Sequence, residues 1–261
     1  MKFCPLFSGS SGNSIFVGTE NTKILIDAGV AGKNIEAELR AIGEEPSSID
    51  GIFVTHEHSD HIKSVGVMSR KHNIPIYANE LTWEAMLPKI GKVKEENIKL
   101  LDTRYTAIKD IEIENFKISH DAVDPRGYLF NTKKGKAAIA TDLGCFSDEI
   151  KDILNSVDVL LLESNHDVEM LKFGPYPYVL KRRILSEVGH LSNEACGNAI
   201  LELIKSGRKR IYLGHLSKTN NYPQLAYETV SSILKENNVN IGEDVYLSMA
   251  NRSNHSEVVN L

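Results

Sequence analysis

Six consecutive residues carry most of the chemistry this sequence offers: His56-Glu57-His58-Ser59-Asp60-His61, an H-x-H-x-D-H cluster. Imidazole and carboxylate are the donors that suit zinc, iron or manganese, so the cluster points to metal-assisted hydrolysis. It follows the apolar run Gly51-Ile52-Phe53-Val54-Thr55. If the backbone stays extended there, side chains two apart project the same way, which pairs His56 with His58 on one ion. Asp60 and His61, where the chain turns into a helix, face a second ion. The bland alternative is a polar loop with Asp60 as a helix N-cap; four donors in six residues argue against it.

Three more donors sit just past apolar runs: His120 after Phe116-Lys117-Ile118-Ser119, Asp142 after Ala137-Ala138-Ile139-Ala140-Thr141, and His215 after Ile211-Tyr212-Leu213-Gly214. A lone histidine after a strand is more often structural. Three in series are stronger, because loops past strand ends converge at one edge of a sheet. An aspartate has two oxygens, so Asp142 is the natural bridge between two ions. His56, His58 and His120 then complete one metal, and Asp60, His61 and His215 the other. Two cations about 3.5–4 Å apart lower the pKa of a bridging water and stabilise the attacking and leaving oxygens of a displacement. The expected cofactors are two divalent ions, zinc or manganese, with iron also compatible.

The elements that must position these residues read as strands and helices in alternation. Strands are expected over 13–18 and 22–26 as a hairpin, over 51–55 and 75–78, then over 105–108, 111–118, 127–132, 137–140, 157–162 and 210–213. Helices are expected over 35–42, 62–72, 81–87, 178–187, 193–205 and 223–235. Two sheets packed face to face with helices outside accommodate this α/β order. No spacer, repeat or low-complexity tract interrupts the 261 residues, so residues 1–261 are expected to form a single domain.

Cys4, Cys145 and Cys196 lack C-x-x-C spacing and read as free, core thiols rather than a disulfide framework. The N-terminus has no apolar signal region, and no run of eighteen apolar residues occurs, so the expectation is a cytoplasmic protein off the membrane. A net charge of −5 gives no global attraction to nucleic acid. Any such surface must be local, at Lys172 and Lys181-Arg182-Arg183 or at Arg208-Lys209-Arg210, and solvated charge is the competing reading for each.

With these motifs in order, the sequence resembles the metallo-β-lactamase superfamily over nearly its whole length. The likeness implies a four-layer αββα sandwich. It also implies a supporting carboxylate at Asp27, in Ile24-Leu25-Ile26-Asp27-Ala28-Gly29. More narrowly the chain resembles the YycJ/WalJ group of 5′-to-3′ exonucleases, through Ser8-Gly9-Ser10-Ser11-Gly12-Asn13, His120-Asp121-Ala122 with Pro125 and Gly127-Tyr128, Glu163-Ser164-Asn165-His166-Asp167, Gly189-His190-Leu191-Ser192-Asn193 and Gly214-His215-Leu216-Ser217. Too few residues separate Asp142 from His215 for a β-CASP insertion. Asp142, where class B β-lactamases commonly carry cysteine, and Asp121-Ala122 after His120, where glyoxalase II carries Thr-Pro-Gly, disfavour those relatives.

The resemblance implies a phosphodiesterase acting on nucleic acid, foremost a DNA exonuclease, with Asp60 and His190 as catalytic residues. An imidazole at His190 can protonate a departing oxygen; helix capping is its alternative role. The substrate contacts expected are Ser10, Asn13, His166, Arg183 and Asn193. Each has a plainer reading: the Ser8–Asn13 loop as a tight turn rather than a phosphate nest, and His166 as a local cap. Asp27 orients a ligand or caps a turn. Tyr176 and Tyr178 pack or stack on bases. His72, His255 and Trp83 read as structural. Competing functions are an RNA-processing nuclease, a small-phosphoester hydrolase and, without turnover, a metal-binding regulator. The native metal, the polarity and the oligomeric state, a homodimer included, stay open.

Overall fold

The computed structural model describes residues 1–261. Its contacts group the chain into two compact units, one of Met1–Lys117, Ala122–Gly135 and Asn251–Leu261, the other of Ile118–Asp121 and Lys136–Ala250.

The first unit holds β1 (Lys2–Phe7), β2 (Ser14–Gly18), β3 (Lys23–Ile26), α1 (Gly32–Ala41), β4 (Gly51–Phe53), α2 (Ser59–Ile62), α3 (Val65–His72), β5 (Ile76–Ala78), α4 (Glu80–Ile90), β6 (Ile98–Leu100), β7 (Tyr105–Ile108), β8 (Ile111–Lys117) and β9 (Arg126–Thr132). The terminal strand β14 (Val259–Asn260) completes a sheet of order β14-β1-β2-β3-β4-β5-β6. β1, β2 and β3 pair antiparallel, confirming the hairpin, and β3 to β6 pair parallel. Strands β2 and β4 are buried along their whole length, as expected where a sheet is covered on both faces. Separately, β7, β8 and β9 form an antiparallel meander.

The second unit contains β10 (Gly135–Ala140), α5 (Asp148–Leu154), β11 (Val159–Glu163), α6 (Val168–Phe173), α7 (Tyr178–Ile184), α8 (Asn193–Ile204), β12 (Lys209–Gly214), α9 (Pro223–Glu236) and β13 (Val245–Met249). β10 to β13 run parallel in sequence order. Parallel strands point their C-terminal ends to one edge, where ligand-bearing loops gather.

Several boundaries move from the sequence reading. The helix expected over 62–72 is two helices, because the Ser64 N–H leaves the helical ladder to donate to Ala28 O (2.8 Å). β1, α5, α6 and β13 were not anticipated; Pro5 obscures the first, and the two helices are only seven and six residues long. The 178–187 helix stops at Ile184. The three thiols are free, yet only Cys4 and Cys196 are core residues; Cys145 is half-buried. No helix is long and apolar enough to cross a membrane.

Candidate metal centre

In the first unit the cluster is held by the ends of β3 and β4. Gly29 N donates to Asn13 O (2.7 Å), Ala28 N to His61 O (2.8 Å) and Asn13 N to Asp60 O (2.8 Å), so the strand end grips the 59–62 turn by its backbone. A Cβ on Gly29 would stand 1.6 Å from Asp60 O, which only glycine avoids. On the other side, buried Tyr128 donates its hydroxyl to Val54 O (2.7 Å) and Arg126 N donates to Thr55 O (3.0 Å). That accounts for the Gly127-Tyr128 pair: it buttresses the strand that delivers His56.

Side chains then fix the imidazoles. Asp27, fully buried, accepts from Thr55 N (2.9 Å), Thr55 Oγ1 (2.8 Å) and His61 Nδ1 (2.7 Å). Burial pushes the Asp27 carboxyl up, against the pull of His61 and the Thr55 bonds. Thr55 gives its one proton to Asp27, so its oxygen accepts from His56 Nδ1 (3.0 Å). Both rings therefore carry their proton on Nδ1 and a lone pair on Nε2, the tautomer a cation needs. His56 Nε2 lies 3.1 Å from His58 Nδ1, and His61 Nε2 lies 3.5 Å from Asp60 Oδ2.

In the second unit the donors come from separate strand ends. His120 Nε2 and His215 Nε2 lie 3.8 and 3.4 Å from the same Asp142 oxygen. Their Nδ1 atoms are committed elsewhere, His120 to Gly189 O (3.1 Å) and His215 to Glu163 Oε1 (2.8 Å). That Glu163 oxygen also accepts from His190 Nδ1 (2.8 Å), while Oε2 accepts from Leu143 N (3.0 Å) and Leu191 N (3.2 Å). Burial alone would raise the Glu163 carboxyl, but the imidazoles of His190 and His215 hold it down at about 2. Burial depresses His120, which keeps its ring neutral as a ligand must be. For His190 burial works downward and Glu163 upward; the carboxylate prevails. Asp142, Glu163, His190 and His215 offer donor atoms all within 4.8 Å of one another. In both units the donors are hard oxygens and imidazole nitrogens, with Nε2 of His56, His61, His120 and His215 left to accept, which fits a divalent cation.

Asp27, Asp142 and His215 share a backbone signature, φ of 60°, 59° and 53°, the left-handed region that non-glycine residues rarely adopt. Such conformations persist where surrounding structure over-determines them, commonly at functional sites.

Other predicted residues fall out differently. Ser10 is exposed on its loop. Asn13 is buried, receiving Gly9 N at Oδ1 (2.9 Å) and reaching His61 Nε2 with Nδ2 (3.1 Å). Asn193 lies in the interior with its amide engaged by Ser164 Oγ (2.7 Å) and by Asn221 (2.8 and 3.2 Å). Arg183 is paired with Asp121. His166 is buried, its ring held neutral by burial with a pKa of about 4; the α6 cap is Asp167. The α8 cap is Ser192, not His190. His72 and His255 pair with Glu36 and Glu38. Glu163 is the residue sequence reasoning passed over as a site residue. Its signal was a carboxylate ending the apolar run Val159-Leu160-Leu161-Leu162, since glutamate is almost never fully buried unless paired.

A family model described as the metallo-beta-lactamase superfamily matches residues 8–215, an interval that contains all seven donors. The chain is 44% identical over 244 residues to the exodeoxyribonuclease YycJ of Bacillus anthracis, covering 93% of this chain and 92% of the relative. It is 44% identical over 246 residues to the exodeoxyribonuclease WalJ of Streptococcus pneumoniae, at 93% and 91% coverage. Among solved structures, the metallo-beta-lactamase fold protein YhfI of Bacillus subtilis matches 98% of this chain and 99% of its own, with TM-score 0.73 and 15% identity. Unliganded yeast PDE1 matches 100% and 99%, with TM-score 0.74 and 14% identity. At such identities these two likenesses speak for the fold alone, and it is the αββα class expected from the sequence. The chain belongs to the metallo-beta-lactamase superfamily and is a metal-dependent hydrolase.

Proposed function

We propose that this protein is a metal-dependent exodeoxyribonuclease, working 5′ to 3′ in the cytoplasm, with residues 1–261 acting as one catalytic domain. His56, His58, Asp60, His61, His120, Asp142 and His215 would hold two divalent cations, zinc or manganese. Neither set suffices alone, since each offers fewer donors than two ions need. Bound divalent cations supply Lewis acidity and make water nucleophilic near neutral pH.

The protein's own part is positioning and proton supply. Asp27 and Glu163 fix the tautomers of His61 and His215, and carboxylates in this role raise ligand basicity. Glu163 favours the protonated ring of His190, which would donate from Nε2 to the departing oxygen. The observation that carries the reading is the Glu163 oxygen that binds His190 and His215 at once, both at 2.8 Å. It supports the reading of His190 as a proton donor next to a metal-holding His215, whose ring centroid is 5.5 Å from its own. The preference for DNA over RNA rests on the two exodeoxyribonuclease relatives and their coverage.

The test is to load the protein with manganese or zinc and incubate it with end-labelled single-stranded, duplex and nicked DNA, and with RNA. Asp142→Ala serves as the control. A stepwise ladder from the 5′ end of DNA, absent in the control, is the expected result. Cleavage of a small phosphodiester with neither polymer cut would refute the nuclease reading and leave the hydrolase.

A further inference from the structure

Between β11 and α8 the second unit turns outward through α6 and α7, and there the chain exposes apolar surface it buries elsewhere. Phe173, Tyr178 and Val179 are 84%, 73% and 78% exposed, the largest values among the apolar residues. Only Leu171 and Ile184 of these two helices are buried. In α8, by contrast, Cys196, Ala199, Ile200 and Leu203 all face the interior. The same outward segment is cationic: Lys172, Lys181, Arg182 and Arg183 outnumber Glu169, which pairs with Lys172 (3.0 Å), and Glu187, on a chain of net charge −5. The Arg182 guanidinium lies 5.9 Å from the centre of the Tyr178 ring. In the other basic cluster of the sequence, Lys209 is buried while Arg208 and Arg210 stay exposed beside an aromatic ring. Lys209 Nζ donates to Asn155 O (2.7 Å) and Val157 O (3.0 Å), and Arg208 and Arg210 lie 4.2 and 4.5 Å from the Tyr246 ring centre.

The segment is also wired to the metal-binding residues. His190 N donates to Ile184 O (3.1 Å), Ser119 Oγ to Glu187 O (2.6 Å), and His120 Nδ1 to Gly189 O (3.1 Å). Arg183 pairs with Asp121, the neighbour of His120. Whatever lies on α7 is thereby in register with His120 and His190.

We infer that the α6–α7 segment is the docking platform for an unpaired polynucleotide strand, with Phe173 and Tyr178 stacking on bases and Lys172 and Arg182 meeting the backbone phosphates. Exposed aromatic faces interleaved with cations suit a polyanion that carries flat apolar rings. Stacking needs bases free of their partners, so the platform selects single-stranded substrate. It rests on the nucleic-acid reading of the site.

The experiment measures binding of a fluorescein-labelled oligothymidylate to the full-length protein by anisotropy, in chelator so that nothing is cut. Phe173→Ala/Tyr178→Ala weakens binding about tenfold or more, while Phe173→Tyr/Tyr178→Phe retains it. Arg182→Glu, which leaves both rings in place, weakens binding and flattens its salt dependence. In the metal-loaded protein, the ratio of kcat/KM on the oligonucleotide to that on bis(p-nitrophenyl) phosphate falls by the same factor in the alanine variant. The inference is overturned if the parent protein fails to bind the strand or if the alanine variant binds it equally well. It is equally overturned if light scattering shows a dimer that these substitutions dissociate without changing strand affinity. A platform that binds on a protein that cuts no polymer would instead sink the nuclease reading alone.

Discussion

Each unit solves the same problem with one buried carboxylate, and the two solutions differ in reach. In the first, Asp27 serves a single imidazole, His61, and shares the load with Thr55, two residues from the end of β4. In the second, Glu163 serves both His190 and His215, and ties in the backbone of Leu143 and Leu191 as well. The first set is short-range, with donors inside six residues. The second draws together the loop before α8 and the end of β12, 27 and 52 residues from Glu163, through one side chain. A concentrated lock fails locally; a shared lock fails everywhere it reaches.

Glu163→Ala puts that contrast to its hardest test. It frees two histidines and leaves two buried N–H groups without an acceptor, so stability should drop by about 3–5 kcal/mol, the cost of breaking a buried ionic cluster. Metal occupancy and turnover on bis(p-nitrophenyl) phosphate should fall more than about 100-fold, beyond the loss for one outer partner. Urea unfolding and metal analysis by mass spectrometry read both. Asp27→Asn comes next. It removes the acceptor from one imidazole only, that of His61, and metal affinity should weaken about 10- to 100-fold. Equal losses in the two variants would erase the distinction between a shared and a single lock.

Gly29→Ala acts on the backbone grip of the first set. The new methyl group meets Asp60 O and should cost about 1–3 kcal/mol, with histidine NMR shifts moving for His61 and holding for His215. Movement of both would show that the sets do not respond separately. The smallest effect concerns thiols. Burial pushes the Cys4 thiol up to about 12, and it pushes Cys196 up too. Native protein should therefore release one equivalent with Ellman's reagent, at Cys145, and the remainder only on unfolding. The sign for stability follows: an unfolded thiol ionises near pH 8.5 while folded Cys4 stays protonated, so Cys4's contribution holds below about pH 8.5 and erodes above it.

The same contrast decides what the sequence disclosed. His56 to His61 were legible because strand period and residue type act over neighbouring positions. His120, Asp142 and His215 were legible as polar residues just past apolar runs. Glu163 is not legible as a site residue, because its function depends on partners that only the parallel order β10-β11-β12 supplies. Of Arg208-Lys209-Arg210, a candidate surface for nucleic acid, Lys209 is buried on the carbonyls at 155 and 157, whereas Arg208 and Arg210 stay exposed beside the Tyr246 ring. Residue type announced the charge; burial decided its use. Short α5 and α6 escaped because one or two turns give periodicity too little length to register.

The positive φ angles at Asp27, Asp142 and His215 also constrain anyone who would re-engineer the centre. A left-handed backbone disfavours most L-residues by roughly 1–2 kcal/mol, and aspartate, asparagine and histidine are among those that adopt it most readily. Swapping Asp142 for glutamate or cysteine to retune metal preference is therefore a problem of main-chain tolerance before it is one of coordination. Asparagine is the replacement that isolates the lost charge while leaving the turn intact.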